Sequence, residues 1–391
     1  MRNWRGYFPT IQKKSIFVEL TYYEFFYKNM HHFHLLKTVR VKKETNDSVN
    51  IAFEIPQHLR HEFSFRQGQY LNVRFIFGDE DLRRSYSIVN APSEGNSELE
   101  ILVKHLDGGR VSTFLNNELK AGDLIEVLAP MGHFYTHYHP SNEKTYVGLA
   151  AGSGISPVLS NIKEALYQEP KSNAYLFFSN KSVNDIIFKK EIDDLVDKFQ
   201  GRLKVIYLLS REKHFEDELF EGRISAGKLE EILNRFSGIP VQEATYFICG
   251  PAEMIRDISG YLKNDKKVPS LQIMYEYYAA PDDEENAEMS DEFKAIPNLE
   301  SMVTLIIDDD EYSFHLNSKK RSILDQALHE KLPVPFACKG GVCCTCKAQV
   351  MEGEVFMEKN FALTEDEVER GFVLTCQCHP TTNVVMLNYD V

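Results

Sequence analysis

Six of the chain's seven cysteines fall between Cys338 and Cys378, and the seventh is Cys249. The run Cys338-Lys-Gly-Gly-Val-Cys343-Cys344-Thr-Cys346 contains a C-x4-C-x2-C spacing, and Cys376 follows after 29 intervening residues. Four thiolates are what a [2Fe-2S] cluster needs, and this is a spacing at which it takes them. Gly340 and Gly341 add a loop whose backbone amides can turn toward the sulfurs. A four-cysteine zinc site favours two C-x2-C knuckles, and only one short pair occurs here, so the spacing speaks for the cluster. Cys344, lying between ligands, reads as a bystander, and Cys378 stands as a rival to Cys376.

Three further segments carry usable chemistry, each unspecific alone. In Arg84-Ser85-Tyr86-Ser87 the guanidinium offers a fork of donors for a phosphate and the ring a surface for a flat heterocycle. Read singly, they are better explained as an exposed strand charge and an ordinary core ring. In Gly109-Arg110-Val111-Ser112, Ser112 and the amides of a helix start form a second anion site. Such a set suits a flavin nucleotide. Ala151-Gly152-Ser153-Gly154-Ile155-Ser156-Pro157 is a Gly-rich strand-to-helix turn, neither a Walker A loop nor GxGxxG, through which backbone can approach a pyrophosphate. Cys249-Gly250-Pro251 adds a thiol and a turn, although a lone cysteine is most often a small buried hydrophobe.

These segments need elements to hold them. Six short β-rich runs (35–41, 49–55, 70–75, 86–89, 99–104 and 124–128), punctuated by Gly and Pro, predict a small antiparallel barrel. From residue 145 the rhythm changes to apolar strands (146–150, 175–178, 203–209 and 246–248) alternating with helical stretches (157–167, 188–199, 228–236 and 254–263). That alternation predicts a doubly wound parallel sheet. Past residue 300, runs at 302–307 and 312–316 resemble a hairpin across Asp308-Asp309-Asp310-Glu311, and Ser322 can cap a short helix from Ile323. Between the last two units, seven of the eleven residues from Asp282 to Glu292 are acidic, the composition of a self-repelling linker.

With 391 residues, 43% apolar and 26% charged, the chain suits two to three domains with their own cores. Nearly all of the net charge of -14 sits in residues 279–391, which hold 22 acidic against 9 basic side chains. Nucleic acid is therefore an unsuitable partner, and an acidic C-terminal unit better meets a basic protein surface. No run of 18 apolar residues and no secretory pattern occurs, so a soluble, cytoplasmic protein without membrane insertion is expected. Residues 1–29 carry nine aromatic side chains but no motif, and a translation start at Met30 is the expected explanation.

Taken in order, Arg-x-Tyr-Ser, Gly-Ser-Gly-Ile-Ser-Pro and Cys-Gly-Pro make residues 34–278 resemble the ferredoxin-NADP reductase family, and residues 301–391, with Leu374-Thr375-Cys376 closing the module, resemble plant-type ferredoxin domains. The resemblance implies an FAD-binding barrel at 30–140, an NADP-binding α/β domain at 141–278, a linker at 279–300 and a β-grasp [2Fe-2S] domain at 301–391. It implies that Arg84 binds the flavin pyrophosphate, that Ser85 is a further cofactor contact, that Tyr86 packs on the flavin, that Ser87 lies near its N5, and that Ser112 holds phosphate. Gly152, Gly154 and Ser156 then meet the nicotinamide nucleotide, Cys249 and Gly250 sit beside the nicotinamide ring, and Glu276 is the acidic group near the flavin. Cys338, Cys343, Cys346 and Cys376 are the iron ligands. Ser210-Arg211-Glu212 is similar to the NADP-dependent members, and Arg223 supplies a second cation, so NADPH is expected over NADH.

The layout of reductase first and ferredoxin last is similar to the reductase subunits of bacterial phenylacetyl-CoA epoxygenases, and related reductases of aromatic-ring and steroid hydroxylases share it. That resemblance implies electron delivery from NADPH through FAD and the cluster to a diiron oxygenase that epoxidises phenylacetyl-CoA. Another oxygenase is the alternative acceptor, and a non-enzymatic iron-sulfur redox sensor is the alternative of a different class.

Overall fold

The computed structural model describes residues 32–95, 97–213, 217–280 and 291–391. Residues 1–29, and the acidic stretch from 281 to 290, lie outside the described residues.

The first unit is a six-stranded antiparallel sheet of β1 (His34–Thr45), β2 (Ser48–Glu54), β3 (Tyr70–Phe77), β4 (Glu80–Ser87), β5 (Glu98–Lys104) and β6 (Leu124–Val127), in the order β4-β3-β6-β1-β2-β5. Just past β4, Ile88 bridges Ile101 of the opposite edge, which closes the sheet into the expected barrel. Alternation sets its two faces: Leu71 and Val73 of β3 point into the barrel core with Ile51, Phe53 and Ile101, while Tyr70 and Asn72 take the outer face. A helix, Arg110–Asn117, lies against this core through Val111 and Leu115.

The second unit is a five-stranded parallel sheet of β7 (Thr145–Ala151), β8 (Asn173–Asn180), β9 (Leu203–Leu209), β10 (Thr245–Cys249) and β11 (Ile273–Glu276). Helices at Ile155–Gln168, Lys189–Lys198, Ala226–Arg235 and Ala252–Asn264 connect them. The inner strands are continuously apolar because helices cover both faces. The order β11-β10-β7-β8-β9 reverses between β7 and β10. Open parallel sheets bind ligands outside the carboxyl ends of the strands at that reversal.

The third unit holds β12 (Glu300–Ile307), β13 (Asp310–Asn317), β14 (Lys347–Glu352), β16 (Phe372–Leu374) and β18 (Val384–Asn388) in the order β13-β12-β18-β14-β16, beside a small pair, β15 (Val355–Met357) with β17 (Cys378–Pro380). Asp308 and Asp309 make the hairpin turn with φ of 54° and 67°, and the Ser322 hydroxyl caps Ile323–His329 by accepting from the Asp325 amide at 3.1 Å. Part of the stretch read as linker is ordered: Asp291–Ala295 is a helical turn whose Phe293 is buried, its ring 4.7 Å from that of His379. Among the described residues, no helix is long and apolar enough to cross a membrane.

Candidate functional site

The two segments at the sheet reversal meet there. Gly152–Gly154 follows β7, Cys249-Gly250-Pro251 follows β10, and these strands are neighbours in register, Ala150 beside Cys249. Their approach is so close that a Cβ on Gly154 falls 2.1 Å from the Cys249 carbonyl oxygen. Only glycine permits that contact. Ser156, 2% exposed, donates to the Ser153 carbonyl at 3.2 Å and fixes the turn from within.

Cys249 is fully buried. Burial, reinforced by the negative charge of Glu276, pushes its thiol well above the ordinary range, so it acts as a neutral thiol. On the neighbouring strand, Glu276 is paired with Cys249 in register and reaches across to the barrel, where the Ser87 hydroxyl donates to its Oε2 at 2.9 Å. Burial pushes the Glu276 carboxyl up to about 7, against the opposing pull of that hydrogen bond. A carboxyl so placed holds or releases a proton near neutrality. Tyr278 follows in chain, donates to the Ser153 carbonyl at 3.2 Å and keeps 42% of its surface exposed. An exposed ring beside a proton-holding pair and a Gly-rich turn suits a flat heterocycle.

On the barrel, Ser85 and Ser87 share the outer face with Asn72 and Tyr70, their direct cross-strand partners, whereas Tyr86 opposite Leu71 packs against the barrel core. Arg84 is exposed, and one guanidinium nitrogen donates to the Arg83 carbonyl at 2.7 Å; its other donors can take an anion. Ser112 accepts from the Leu106 amide at 3.2 Å and donates to the Gly109 carbonyl at 3.1 Å, so it braces the loop that opens the helix.

Arg211 and Arg223 stand apart from this group, at the outer end of the sheet. A parallel bridge pairs Leu209 with Glu221, and both arginines lie two residues further along in the same direction. Both are exposed. Ser210 donates to the Asn180 carbonyl at 3.2 Å, which anchors the start of that segment.

The four predicted iron ligands converge as two pairs. The Cys343 thiol donates to Cys338 Sγ at 3.1 Å, and that bond, with the amides of Gly340, Val342 and Cys343, favours a Cys338 thiolate. Cys346 and Cys376 are coupled in the same way, with Cys376 on the thiolate side. Among the described residues, no three His, Cys, Asp or Glu side chains converge on one point as a single ion requires. Two thiol pairs in a loop of inward amides fit a two-iron cluster. Gly341, at φ 73°, allows the turn that brings the Phe361 amide onto its carbonyl at 3.0 Å. Cys378 is fully buried with its thiol on the Leu374 carbonyl at 3.1 Å, and Cys344 contacts the Ala362 carbonyl, so neither pairs with the four.

The cysteine loop packs against the barrel. Cys343 is 4% exposed and packs with Tyr70, Leu128 and Met131 of the barrel. The Cys344 amide donates to the Tyr70 hydroxyl at 3.1 Å, and Tyr70 is the cross-strand partner of Ser87. Tyr70, Asn72, Tyr278 and Thr345 were not singled out by sequence motifs. The signal available was a polar Asn72 between apolar Leu71 and Val73, which marks an outer strand face but not what covers it.

Comparison with known proteins matches each unit to a domain family. Residues 36–135 match the oxidoreductase FAD-binding domain, 149–260 the oxidoreductase NAD-binding domain and 305–381 the 2Fe-2S iron-sulfur cluster binding domain. The chain is 36% identical to a subunit of the 1,2-phenylacetyl-CoA epoxidase of Escherichia coli (strain K12) over 363 residues, covering 92% of this chain and 98% of that protein. It is 29% identical to the ferredoxin reductase component of the 3-ketosteroid-9-alpha-monooxygenase of Rhodococcus rhodochrous, over 91% of this chain and 96% of that one. The solved structure of phthalate dioxygenase reductase superposes with a TM-score of 0.53 at 21% identity, covering 91% of this chain and 98% of that chain.

Proposed function

The chain belongs to the family of oxygenase reductases with FAD-binding, NAD-binding and 2Fe-2S domains that includes this subunit of 1,2-phenylacetyl-CoA epoxidase, and on that premise we propose that it supplies a diiron oxygenase acting on phenylacetyl-CoA with electrons from NADPH. It is an oxidoreductase that transfers electrons to an oxygenase. When bound, a flavin would supply the conversion between two-electron hydride chemistry with a nicotinamide and one-electron reduction of a [2Fe-2S] cluster, which side chains do not offer.

The chain's own residues position these steps. Arg84, with Ser85, and the helix start at Ser112 bind flavin phosphates, and Tyr86 borders the flavin. The turn at Gly152, Gly154 and Ser156 lets the nicotinamide nucleotide lie on bare backbone. Cys249 and Gly250 pack at the nicotinamide ring, and the neutral Cys249 thiol adds no charge there. Glu276 holds the Ser87 hydroxyl in place and stores or releases the proton at its carboxyl. Arg211 and Arg223 read the additional phosphate of NADPH. Cys338, Cys343, Cys346 and Cys376 hold the irons.

The observation that carries the reading is one strand pair. Ser87 on β4 meets Glu276 of the nucleotide domain, and its partner Tyr70 on β3 meets the cysteine loop. Entry and exit of electrons are thereby brought to one outer face of the barrel. The decisive experiment mixes the purified reductase with a purified phenylacetyl-CoA epoxidase lacking its own reductase and measures NADPH-dependent substrate oxidation. Turnover is expected. No turnover there, together with support of a steroid or other oxygenase, replaces the proposed acceptor.

A further inference from the structure

Asn72 sits on the outer face of β3, yet it is fully buried. Its side chain is held at both ends. Oδ1 accepts from the Ser85 hydroxyl at 2.7 Å, and Nδ2 donates across the domain boundary to the Thr345 hydroxyl at 3.1 Å. Thr345 is 2% exposed and lies in sequence between Cys344 and the ligand Cys346. Because Ser85 fixes the carbonyl end of the amide, the amine end is aimed at the cluster loop. Ser85 in turn directly precedes Tyr86.

Around the apolar contact of Cys343 with Leu128 and Met131, the seam carries polar groups. Tyr70 accepts from the Cys344 amide, the Arg83 guanidinium lies 3.8 Å from the centre of the Phe336 ring, and His133 stands 3.6 Å from Glu367. Contacts between domains that separate and rejoin are more polar than permanent ones. Each of these polar groups can be hydrated when the loop lifts off. Lifting has a purpose here, since Cys343 is 4% exposed while the loop is seated, covered by Tyr70, Leu128 and Met131 of the barrel. An oxygenase cannot approach the ligands closely from the covered side.

We propose that Asn72 and Thr345 form a reversible polar latch, positioning residues that seat the cluster loop against the flavin strand pair for electron transfer and release it for delivery to the oxygenase. The latch rests on the proposed placing of flavin and cluster. Each seated transfer moves one electron to the irons, and no bond is made or broken in the latch.

The test compares Thr345→Val, which removes the hydroxyl, with Thr345→Ser, which keeps it, in the full-length protein with both cofactors. Hydrogen exchange of the 336–347 segment reports seating independently of activity. In Thr345→Val, exchange is expected to quicken, and cluster reduction after mixing with NADPH is expected to slow, each roughly tenfold for the loss of a buried hydrogen bond. Flavin reduction and ferricyanide activity are expected to stay at the parental rate, and Thr345→Ser to stay within roughly twofold of the parent in both measures. Parental exchange and transfer in Thr345→Val overturn the latch. If Thr345→Val fails to assemble its cluster, Tyr70→Phe, which removes the hydroxyl that accepts from the Cys344 amide and pairs with Thr345, is held to the same expectation and the same refutation. If the parent is not reduced by NADPH at all, the functional reading falls, and the exchange comparison alone decides the latch.

Discussion

At the residue scale, Glu276 and Arg211 carry the clearest consequences. The Glu276 carboxyl is raised by burial from 4.5 to about 7, so the folded state keeps a proton that the unfolded chain loses. Stability then falls as pH rises from about 4.5 to about 7 and levels off above it, where both states have released the proton. Glu276→Gln removes that dependence. Thermal unfolding followed by flavin release is expected to show the variant gaining on the parent across this window, with no difference growing above it. Its rate of cluster reduction is expected to drop while hydride transfer from NADPH is not, because a proton has to leave as the electrons pass to the irons and the amide cannot accept it. For Arg211→Ala, a charge-assisted contact worth about 1.5–3 kcal/mol at full strength is lost only for NADPH. Exposure weakens it, so a rise of roughly tenfold in KM for NADPH is expected, with KM for NADH nearly unchanged. Equal effects on the two cofactors remove Arg211 as the reader of the phosphate.

At the element scale, strand and helix positions were legible because each has a local signature. Alternation gave the six barrel strands, continuous apolar runs gave the inner parallel strands, and Ser322 marked the start of Ile323–His329. The short strands β14 to β17 were not legible, since three-residue pieces such as Phe372–Leu374 carry no period of their own and take their places from neighbours. Candidate residues inside motifs were legible too, and the chain does bring Gly154, Cys249, Glu276 and Ser87 together. Tyr70, Asn72 and Thr345 escaped because their roles depend on an interface between segments more than 270 residues apart, which no local pattern encodes. The Gly-rich turn offers the sharpest element-level check. Gly154→Ala places a methyl against the Cys249 carbonyl, which is backbone and cannot swing aside. The turn must shift, so weaker NADPH binding is expected, with intact cluster absorption. Unchanged KM for NADPH in that variant means the turn does not carry the nucleotide.

At the scale of the whole molecule, two kinds of contact must coexist: those that seat the ferredoxin unit on the reductase, and those that present it to the oxygenase. The internal seam combines buried hydrogen bonds with ring contacts, such as Tyr277 and Phe361 at 5.5 Å, and these respond little to salt. The outer surface is different, because residues 279–391 hold 22 acidic against 9 basic side chains. Many of the acids are exposed, including Asp310, Glu311 and Glu365. Exposed charges are screened over about 8 Å at physiological ionic strength and about 3 Å at 1 M. Docking of a basic oxygenase surface onto this unit therefore gains its association rate from long-range attraction that salt removes, while electron transfer inside the chain does not. The coupled oxygenase rate is accordingly expected to fall steadily as sodium chloride rises from about 0.05 to 0.5 M, by roughly tenfold or more for a steered encounter. Flavin reduction and internal cluster reduction, read by stopped flow over the same range, are expected to hold within roughly twofold, since no partner has to be attracted. A coupled rate indifferent to salt places the docking surface away from the acidic unit. A parallel fall of internal cluster reduction instead makes charged contacts, and not the buried hydrogen bonds, the holders of the seam.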